Sequence, residues 1–538
     1  MIDTAALREK VLDLAIRGKL VPQDTNDEPA SVLLERIHEQ KLQMVREGKL
    51  KVKDVKDDTI IFKGDDNCYY EKYSDGSVKN IQDEIPFDLP EGWAWSRLKS
   101  IVIKEIKRGK APIYADKSSV LVFAQKCNVK HCGINMQLAK YLNEAVLKKY
   151  TAEDFLFIDD VIINSTGTGT LGRVGILSKE CFYPVAKIVP DTHITVVRTH
   201  KEIVSSYIFF MLKHMQPKLE ISGEGSTNQK ELRPDYIKNL LCPIPPIGEQ
   251  LKIVDVITES NEALKVIDTK EFEISDAIAS LKSKILELAI QGKLVPQDEN
   301  DEPATVLLER IRAERKAKLG KKYVESFIYK GDDNCYYEKV GSETKNITDE
   351  IQFDIPDSWE WIRLGNYCDK ITDQVASGSF AALKENVPSR KEPDYAIMVK
   401  TADFSNNFKK ELTYTTKHGY EFLSNSNLFG GELILSNVGS VGKVFIVPKL
   451  DAKMTLAPNS IMIRCFADYQ KDYLYSYFLS PQGQNSLVKI SRGATILKFN
   501  KTDLKTIIVP IPSIQEQLRI IQEIHKLNSL INTLKDEV

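Results

Sequence analysis

The chain has 538 residues, of which 42% are hydrophobic and 28% charged, and its formal net charge is −2. This length predicts three or four folding units, and this composition excludes a disordered or low-complexity chain. Because no stretch approaches the roughly 20 apolar residues of a membrane-spanning helix and no basic leader precedes an apolar run, we expect a cytoplasmic protein without a membrane partner.

Three segments along the chain carry apolar residues at helical spacing. Residues 1–18 form an amphipathic stretch that ends in a Gly-then-Pro stop signal at Gly18. Residues 246–292 carry apolar side chains at spacings of mostly three and four, and they end in the same signal at Gly292. Residues 513–538 open with a Ser-Ile-Gln-Glu capping-box pattern and continue this spacing. We predict one long central helix and a shorter helix at each end of the chain.

The chain contains an internal duplication, which is its most informative feature. Residues 7–37 return at 281–311 with 24 of 31 positions identical, and the decapeptide Lys-Gly-Asp-Asp-Asn-Cys-Tyr-Tyr-Glu-Lys occurs unchanged in both copies. A Pro-Ile-Pro to Glu-Gln-Leu frame at 243–251 returns at 510–518. Between these repeated segments, which we call the frames, the two copies share only scattered similarity. We call the two divergent regions, residues 97–240 and 363–508, the middles. The frames must therefore make the same contacts twice, while each middle is free to recognise something different.

The repeated helices occur in a circularly permuted order, in which each terminal helix matches one half of the central helix. The C-terminal helix matches the first half of the central helix, and the N-terminal helix matches its second half. Such a chain can pair both of its ends against the central helix, giving two antiparallel spacer arms with pseudo-twofold symmetry. If residues 248–291 are helical throughout, they span about 66 Å at roughly 1.5 Å per residue. We expect these helices to set the distance between two globular domains.

The charge of the chain is unevenly distributed. Residues 97–240 hold 22 Lys and Arg against 14 Asp and Glu, and residues 363–508 hold 19 against 13. The two divergent middles are therefore basic, with net charges of +8 and +6, and the remaining segments together carry −16. A basic middle is typical of a nucleic-acid-binding domain, although excesses of this size also occur on ordinary surfaces.

The domain organisation alternates helices, repeated connectors and divergent middles. The middles contain both helical and strand patterns in irregular order, which predicts an α+β fold and not a doubly wound one. The predicted strands are 120–123, 160–163, 194–197, 432–435 and 460–463, and the predicted short helices are 207–212 and 473–479. The predicted domains are 1–18 (N-terminal spacer segment), 19–96 (connector), 97–245 (first α+β domain), 246–292 (central spacer helix), 293–362 (connector), 363–512 (second α+β domain) and 513–538 (C-terminal spacer segment).

A glycine-rich loop in the first middle imitates a dinucleotide-binding motif. Residues 167–172 satisfy Gly-x-Gly-x-x-Gly directly after a predicted strand. A nucleotide site of this type must open a helix, whereas the chain continues from Arg173 in a strand pattern, so we predict a hairpin. The counterpart at 437–443 loses the first glycine and also fails the P-loop pattern. Binding of a nucleotide or of S-adenosylmethionine remains an alternative for this loop.

Neither a metal site nor a catalytic centre is predicted. The eight cysteines include no Cys-x-x-Cys pair, and the group of Cys127, His131 and Cys132 lacks the second ligand pair of a zinc site. The sequence also lacks the tetrad typical of adenine methylation, a Walker A motif and a His-Glu-x-x-His motif. We therefore expect the chain to be inactive alone.

Together these patterns resemble the specificity subunits of type I restriction-modification enzymes over essentially the whole chain. The resemblance depends on the circular duplication and on the frames at 243–251 and 510–518. It implies two target-recognition domains that each read one half of a bipartite DNA sequence. It also implies two methyltransferase subunits docked on the repeated regions and ATP-driven restriction subunits. S-adenosylmethionine, ATP and Mg²⁺ are then expected on those partners and no cofactor on this chain. The connectors are longer than a minimal family member needs.

The glycine loops are the first candidates for DNA contact. Both are small, polar and followed by a cation, Arg173 or Lys443, so backbone N–H groups and a basic side chain can approach a phosphate or a base edge. A plain tight hairpin is the alternative for each loop, and a scaffold that binds only protein is the alternative for the chain. The candidate DNA-binding residues are Lys104, Lys107, Arg108, Lys110, Lys126, Thr168, Arg173, Lys230, Lys400, Asn437, Ser440, Lys443, Arg492 and Lys498.

Overall fold

A computed structural model describes residues 2–130, 133–183, 187–224, 230–493 and 495–537. The chain divides into two compact units, residues 2–271 and 272–538, and the division falls inside the central helix. Within the described ranges, no helix is both long and apolar enough to cross a membrane.

Among its described residues, the first unit contains five α-helices and the first part of the central helix. The helices are α1 (Thr4–Ile16), α2 (Ala30–Arg46), α3 (Ser205–His214), α4 (Gln216–Ile221), α5 (Pro234–Lys238) and α6 (Ile247–Ile290). The strands are β1 (Ile60–Lys63), β2 (Tyr69–Lys72), β3 (Val78–Asn80), β4 (Ala94–Arg97), β5 (Lys107–Arg108), β6 (Tyr114–Ala115), β7 (Val120–Phe123), β8 (Asn128–Val129), β9 (Gly133–Ile134), β10 (Lys140–Leu142), β11 (Val161–Asn164), β12 (Val174–Ile176), β13 (Lys187–Pro190), β14 (Ile194–Val197) and β15 (Leu241–Ile244).

The second unit repeats this inventory with local changes. Its helices are α7 (Ala304–Leu319), α8 (Leu364–Tyr367), α9 (Phe380–Asn386), α10 (Lys417–Phe422), α11 (Asp468–Leu479), α12 (Pro481–Ile490), α13 (Lys501–Lys505) and α14 (Ile514–Glu537). Its strands are β16 (Ser326–Lys330), β17 (Tyr336–Val340), β18 (Glu343–Asn346), β19 (Glu360–Arg363), β20 (Lys370–Asp373), β21 (Ala396–Val399), β22 (Tyr414–Thr415), β23 (Asn427–Leu428), β24 (Leu433–Ser436), β25 (Val444–Ile446), β26 (Lys453–Leu456), β27 (Ser460–Arg464) and β28 (Ile508–Ile511).

Among its described residues, each unit contains two four-stranded sheets, and one of these sheets has the same strand order in both units. One sheet has the order β12-β11-β14-β5 in the first unit and β25-β24-β27-β20 in the second. The other sheet shares three strands, in the orders β13-β7-β10 and β26-β21-β22, and in each the first pair is parallel. Its fourth strand lies at opposite edges, with β6 beside β10 in the first unit and β23 beside β26 in the second. The predicted α+β class, the five predicted strands and the two predicted short helices are confirmed.

The central strand of each unit lies between two hydrophobic cores. Val161 and Ile163 of β11 face the core that contains α3, whereas Ile162 faces the core behind β7. Leu433 and Ile434 of β24 divide between two cores in the same way. Because both faces of these strands are buried, their sequences are continuous apolar runs and do not alternate.

The spacer helices form an antiparallel pair in each unit. The Thr4 hydroxyl of α1 donates to Asp268 at 2.5 Å, while Gln23, just after α1, donates to Glu249 near the start of α6. In the second unit, Lys282 donates to Asn532 of α14 at 3.0 Å, and Gln297 bonds Glu516 near its start. The predicted continuous central helix and the circular antiparallel pairing are therefore confirmed.

The capping prediction at residues 513–516 needs one correction. The Ser513 hydroxyl accepts a hydrogen bond from the backbone N–H of Glu516 at 3.0 Å, as a capping box requires. The Glu516 carboxylate does not reach back to the N-cap, because it accepts hydrogen bonds from the Trp359 indole and from Gln297. Burial of this carboxyl raises its pKa, and these two hydrogen bonds partly oppose the rise.

Each connector contains a helix and a three-stranded sheet, and the sheet explains the repeated decapeptide. The turn between β1 and β2 places Asn67 at a φ of +63°, a left-handed conformation that asparagine tolerates. Asp66 accepts a hydrogen bond from the Tyr70 hydroxyl at 2.7 Å, and a Cβ on Gly64 would lie 2.9 Å from the Tyr70 ring. The second copy has the same turn geometry at Asn334. The identity at these four positions is therefore required by the turn.

Candidate nucleic-acid interface

The glycine loops connect antiparallel strands. Strand β12 pairs antiparallel with β11, and β25 pairs antiparallel with β24, so each loop is a hairpin connection as predicted. The backbone N–H of Asn164 donates to the Arg173 carbonyl at 2.9 Å, and that of Ser436 donates to the Lys443 carbonyl at 3.0 Å. Eight residues lie between Asn164 and Arg173, and six lie between Ser436 and Lys443. The second loop is therefore two residues shorter, which accounts for the glycine missing from it. A strand follows each loop, where a dinucleotide site requires a helix.

A second chain segment pairs with each hairpin loop. The backbone N–H of Leu232 donates to the Ser165 carbonyl at 2.8 Å, and that of Phe499 donates to the Asn437 carbonyl at 3.1 Å. We call residues 165–173 with 223–232 the first loop pair and residues 437–443 with 491–499 the second loop pair. Residues 225–229 and residue 494 lie outside the described ranges.

The first loop pair borders a cleft of 550 Å³. Its lining includes the predicted residues Arg108, Thr168 and Lys230, and the fold adds Gln125 and His193, which the sequence analysis missed. The His193 imidazole lies 2.6 Å from the Thr166 hydroxyl, and the Gln125 amide lies under Gly167, where a Cβ would approach it to 2.9 Å. No sequence signal links Gln125 to His193, because the two loops that contain them are far apart in the chain.

Arg173 supports its own loop. Its guanidinium donates to the Asn128 carbonyl at 3.1 Å and to the Gly169 carbonyl at 2.6 Å. Arg108, across the cleft, forms an ion pair with Glu231 and donates to the Leu232 carbonyl at 3.1 Å. Arg173 therefore supports the hairpin loop and Arg108 supports the segment at 231–232, while Thr168 and Lys230 are exposed.

The other predicted lysines of the first unit do not line this cleft among the described residues. The Lys104 side chain is buried, and burial together with the nearby Arg198 lowers its pKa to about 8. Lys107 pairs with Glu105 at 3.5 Å, and Lys110 donates to Asp154 at 2.6 Å. Lys126 is exposed.

The second loop pair gathers five of the six predicted residues of its unit. Asn437 bridges the two segments by donating from its amide to the Phe499 carbonyl at 2.9 Å, while Ser440 and Lys443 are exposed. Arg492 and Lys498 face each other across a short antiparallel bridge. The sixth residue, Lys400, lies after β21, where its ammonium donates to the Thr413 hydroxyl.

The repeated frames join each α+β domain to its spacer helix. The indole N–H of Trp93 donates to Glu249 at 2.9 Å, and that of Trp359 donates to Glu516 at 2.8 Å. The Tyr207 hydroxyl donates to the Pro243 carbonyl at 2.7 Å, and the second unit has the same contact from Tyr473 to Pro510. The motif that carries the resemblance is therefore a rigid junction, whose contacts depend on aromatic residues distant in sequence.

The connectors are attached to the same junctions by ion pairs, of which the pair between Arg97 and Glu71 is buried. Arg97 of β4 donates to both Glu71 and Glu84 at 2.7 Å, and Arg363 of β19 does the same with Glu338 and Glu350. These contacts give the long connectors a structural role at the base of each α+β domain.

The group of cysteine and histidine residues near Cys127 is only partly described. Cys127 is buried in the core behind β7, whereas His131 and Cys132 lie outside the described residues. Across the described ranges, no group of three or more His, Cys, Asp or Glu side chains is placed to hold a metal ion.

Two matched α+β domains with paired loops define a duplicated recognition protein, and comparison with known proteins identifies its family. The family model described as "Type I restriction modification DNA specificity domain" matches residues 90–274 and 356–538. The chain therefore belongs to the type I restriction-modification DNA specificity family and carries two copies of its domain. Specificity subunits are recognition components, so the chain is not itself a catalytic subunit.

Relatives and solved structures agree with this family. The Type I restriction enzyme EcoEI specificity subunit of Escherichia coli is 26% identical over 592 residues, covering 99% of this chain and 90% of that protein. The EcoAI specificity subunit of Escherichia coli is 30% identical over 409 residues, covering 67% of this chain and 62% of that protein. A chain from a structural study of complex assembly and conformational transition of the type I R-M system matches with a TM-score of 0.50 and 17% identity, covering 84% of this chain and 94% of that one, which supports the fold.

Proposed function

We propose that each unit of this specificity subunit reads one half of a bipartite double-stranded DNA target. The observation that carries this proposal is the contrast between matched frames and unmatched loop pairs. The junction contacts recur in both units with nearly the same distances, as for Tyr207 and Tyr473. The loop pairs occupy the same position in both units and differ in length, in charge and in exposed side chains.

The charges of the two loop pairs support two different half-sites. Residues 165–173 and 223–232 contain two cations and two glutamates, whereas residues 437–443 and 491–499 contain three cations and no acidic residue. The two loop pairs therefore present different patterns of charge and hydrogen-bonding groups to DNA. Since base edges are distinguished by such patterns in the major groove, we expect an asymmetric bipartite target.

The exposed backbone at the loop tips suits close approach to DNA. Gly169 and Gly439 both have a φ of +75°, and a Cβ on either residue would meet nothing within 4 Å. The backbone N–H of Gly169 can donate to a phosphate oxygen or a base edge, with Lys230 nearby. The N–H of Gly439 already donates to the Leu497 carbonyl, so the exposed Lys443 supplies the donor at the second loop pair. Binding then includes a phosphate component that weakens as salt rises.

The repeated frames are proposed to hold partner subunits at the target. Two matched frames offer the same surface twice, which suits two copies of a methyltransferase subunit, and restriction subunits would join that assembly. S-adenosylmethionine, ATP and Mg²⁺ would then be bound by those partners and not by this chain. We place the assembly in the cytoplasm, because that is where its DNA target lies.

Binding measurements on the chain assembled with its methyltransferase partner test the proposal. Selection from a random DNA library should enrich a two-part motif, and a duplex carrying only one half should bind much more weakly. Affinity should fall steeply between low and moderate salt. A duplicated scaffold for proteins would assemble with the partner and enrich no motif, and that result would contradict DNA reading by this chain.

A further inference from the structure

Residues 495–497 of the second loop pair, which we call the tip, expose two large apolar side chains. Ile496 is 58% exposed and Leu497 is 41% exposed, and both lie between the cations Arg492 and Lys498. Exposed apolar side chains flanked by cations are unfavourable in water and are suited to a surface that is anionic and locally apolar.

The tip is held in a fixed position beside the glycine loop. The backbone N–H of Arg492 donates to the Lys498 carbonyl at 2.8 Å, and the reciprocal hydrogen bond is 2.9 Å long. The backbone N–H of Gly439 donates to the Leu497 carbonyl at 3.0 Å, so the tip and the hairpin loop form one unit. The major groove of B-DNA admits a two-stranded β-ribbon, and the isolated antiparallel bridge between Arg492 and Lys498 holds two chain segments side by side in the same way.

The charges around the tip favour DNA over a protein partner. Arg492 pairs with Asp503 at 3.1 Å, and Lys501 pairs with Asp373 at 2.8 Å, while Lys443 and Lys498 are exposed. The exposed charge next to the apolar pair is therefore positive. In the major groove, the C5-methyl group of thymine is the apolar group that base edges present.

We propose that Ile496 and Leu497 contact the C5-methyl group of one or two thymines in the half-site read by the second unit. This inference rests on the proposed function and specifies the chemistry by which one half-site is read. The corresponding segment of the first unit, residues 225–229, lies outside the described residues, and its sequence Gly-Ser-Thr-Asn-Gln has no large apolar side chain. We therefore expect binding affinity to depend on thymine methyl groups only in the half-site read by the second unit.

Replacement of thymine by deoxyuridine, which removes only the methyl group, tests this contact. The assembled complex is titrated against its own motif with each thymine replaced in turn, and affinity is measured by fluorescence anisotropy. Replacement at the contacted position should weaken binding about fourfold, the value expected for exposing one buried methyl-sized group. Replacements in the half-site read by the first unit should change affinity less than twofold.

Substitution of the tip links the effect to these residues. Ile496→Ser and Leu497→Ser should weaken binding to the thymine duplex and abolish the difference between thymine and deoxyuridine, while Ile496→Val should retain it. Val324→Ser is the matched control, because Val324 lies in the connector of the same unit and is 60% exposed. This control should leave the methyl dependence unchanged.

Three outcomes would overturn the inference. The first is a methyl dependence that survives in both serine variants, and the second is a second half-site in which no thymine responds to methyl removal. The third is a serine variant that no longer assembles with the methyltransferase, because the tip would then belong to a protein interface. By contrast, a wild-type complex that selects no bipartite motif would contradict the proposed function itself.

Discussion

Removal of the Arg97 guanidinium should destabilise the first unit strongly and in a pH-dependent way. Arg97 is 7% exposed, and its partner Glu71 is 2% exposed. In the Arg97→Met variant, the Glu71 carboxylate keeps the hydrogen bond from the Thr59 hydroxyl but loses its cation. Removing one partner of a buried ion pair costs roughly 3–5 kcal/mol, because the remaining charge is left uncompensated.

The pKa of Glu71 fixes the sign of the pH dependence. Burial raises this pKa, but the hydrogen bonds from Arg97 and Thr59 outweigh burial and hold it below its ordinary value of 4.5. A lowered pKa in the folded protein adds stability above pH 4.5, and this stability is lost as the pH falls through the folded-state pKa. The difference between the wild type and Arg97→Met should therefore be largest near neutral pH and shrink in acid.

The second unit provides the control within the same chain. The corresponding pair, Arg363 with Glu338, has side chains that are 15% and 12% exposed, so Arg363→Met should cost about 1–3 kcal/mol. Hydrogen exchange of the amides in β4 and β19 measures the opening free energy of each unit separately in the complete chain. Adding Glu71→Gln to Arg97→Met should recover part of the loss. A cost below about 1 kcal/mol for Arg97→Met, or an equal cost at acid and neutral pH, would refute the reasoning.

Three further predictions concern the loops. Lys443→Met should weaken binding to all DNA sequences and reduce the slope of log affinity against log salt by about 1. Lys400→Met is the control and should not change this slope, because the Lys400 ammonium donates to the Thr413 hydroxyl within the domain. Arg173→Met should reduce selectivity for one half-site in the library selection by releasing its loop, with little change in the salt slope. Gly172→Ala should lower the melting temperature more than Gly169→Ala: both have positive φ, but only at Gly172 would the Cβ lie 2.6 Å from a backbone nitrogen.

The sequence predicted those elements whose signals are local. The apolar run at 160–163 predicted a strand, and it is apolar throughout because both faces of β11 are buried. The strand pattern after Arg173 predicted a hairpin, where the glycines alone suggested a nucleotide site. The helix stop signals and the duplicated frames predicted the circular antiparallel pairing of the spacer helices. Each of these signals depends on periodicity or on identity between the two copies.

The composition of the candidate site could be predicted only in part. In the sequence, Lys104 and Lys230 are both lysines of the same basic middle, and nothing distinguishes them as candidates for DNA contact. Only the fold shows that Lys104 is buried and that Lys230 lines the cleft. Gln125 and His193 join the cleft because strands β7, β11 and β14 bring their flanking loops together, and no local pattern encodes that proximity. Which cations contact DNA remains a prediction, as Arg173 illustrates by donating to the carbonyls of its own loop.

The central claim is that this chain chooses a bipartite DNA target, one half with each unit. Its most direct test compares adenine methylation across the host genome with and without this gene, in cells that express the partner methyltransferase. The account predicts that one asymmetric two-part motif loses methylation on deletion, and that exchanging residues 97–245 for the corresponding domain of another specificity subunit changes only one half of the motif. If methylation at every motif survives deletion while the partner is expressed, or if the exchange alters both halves, the account is contradicted.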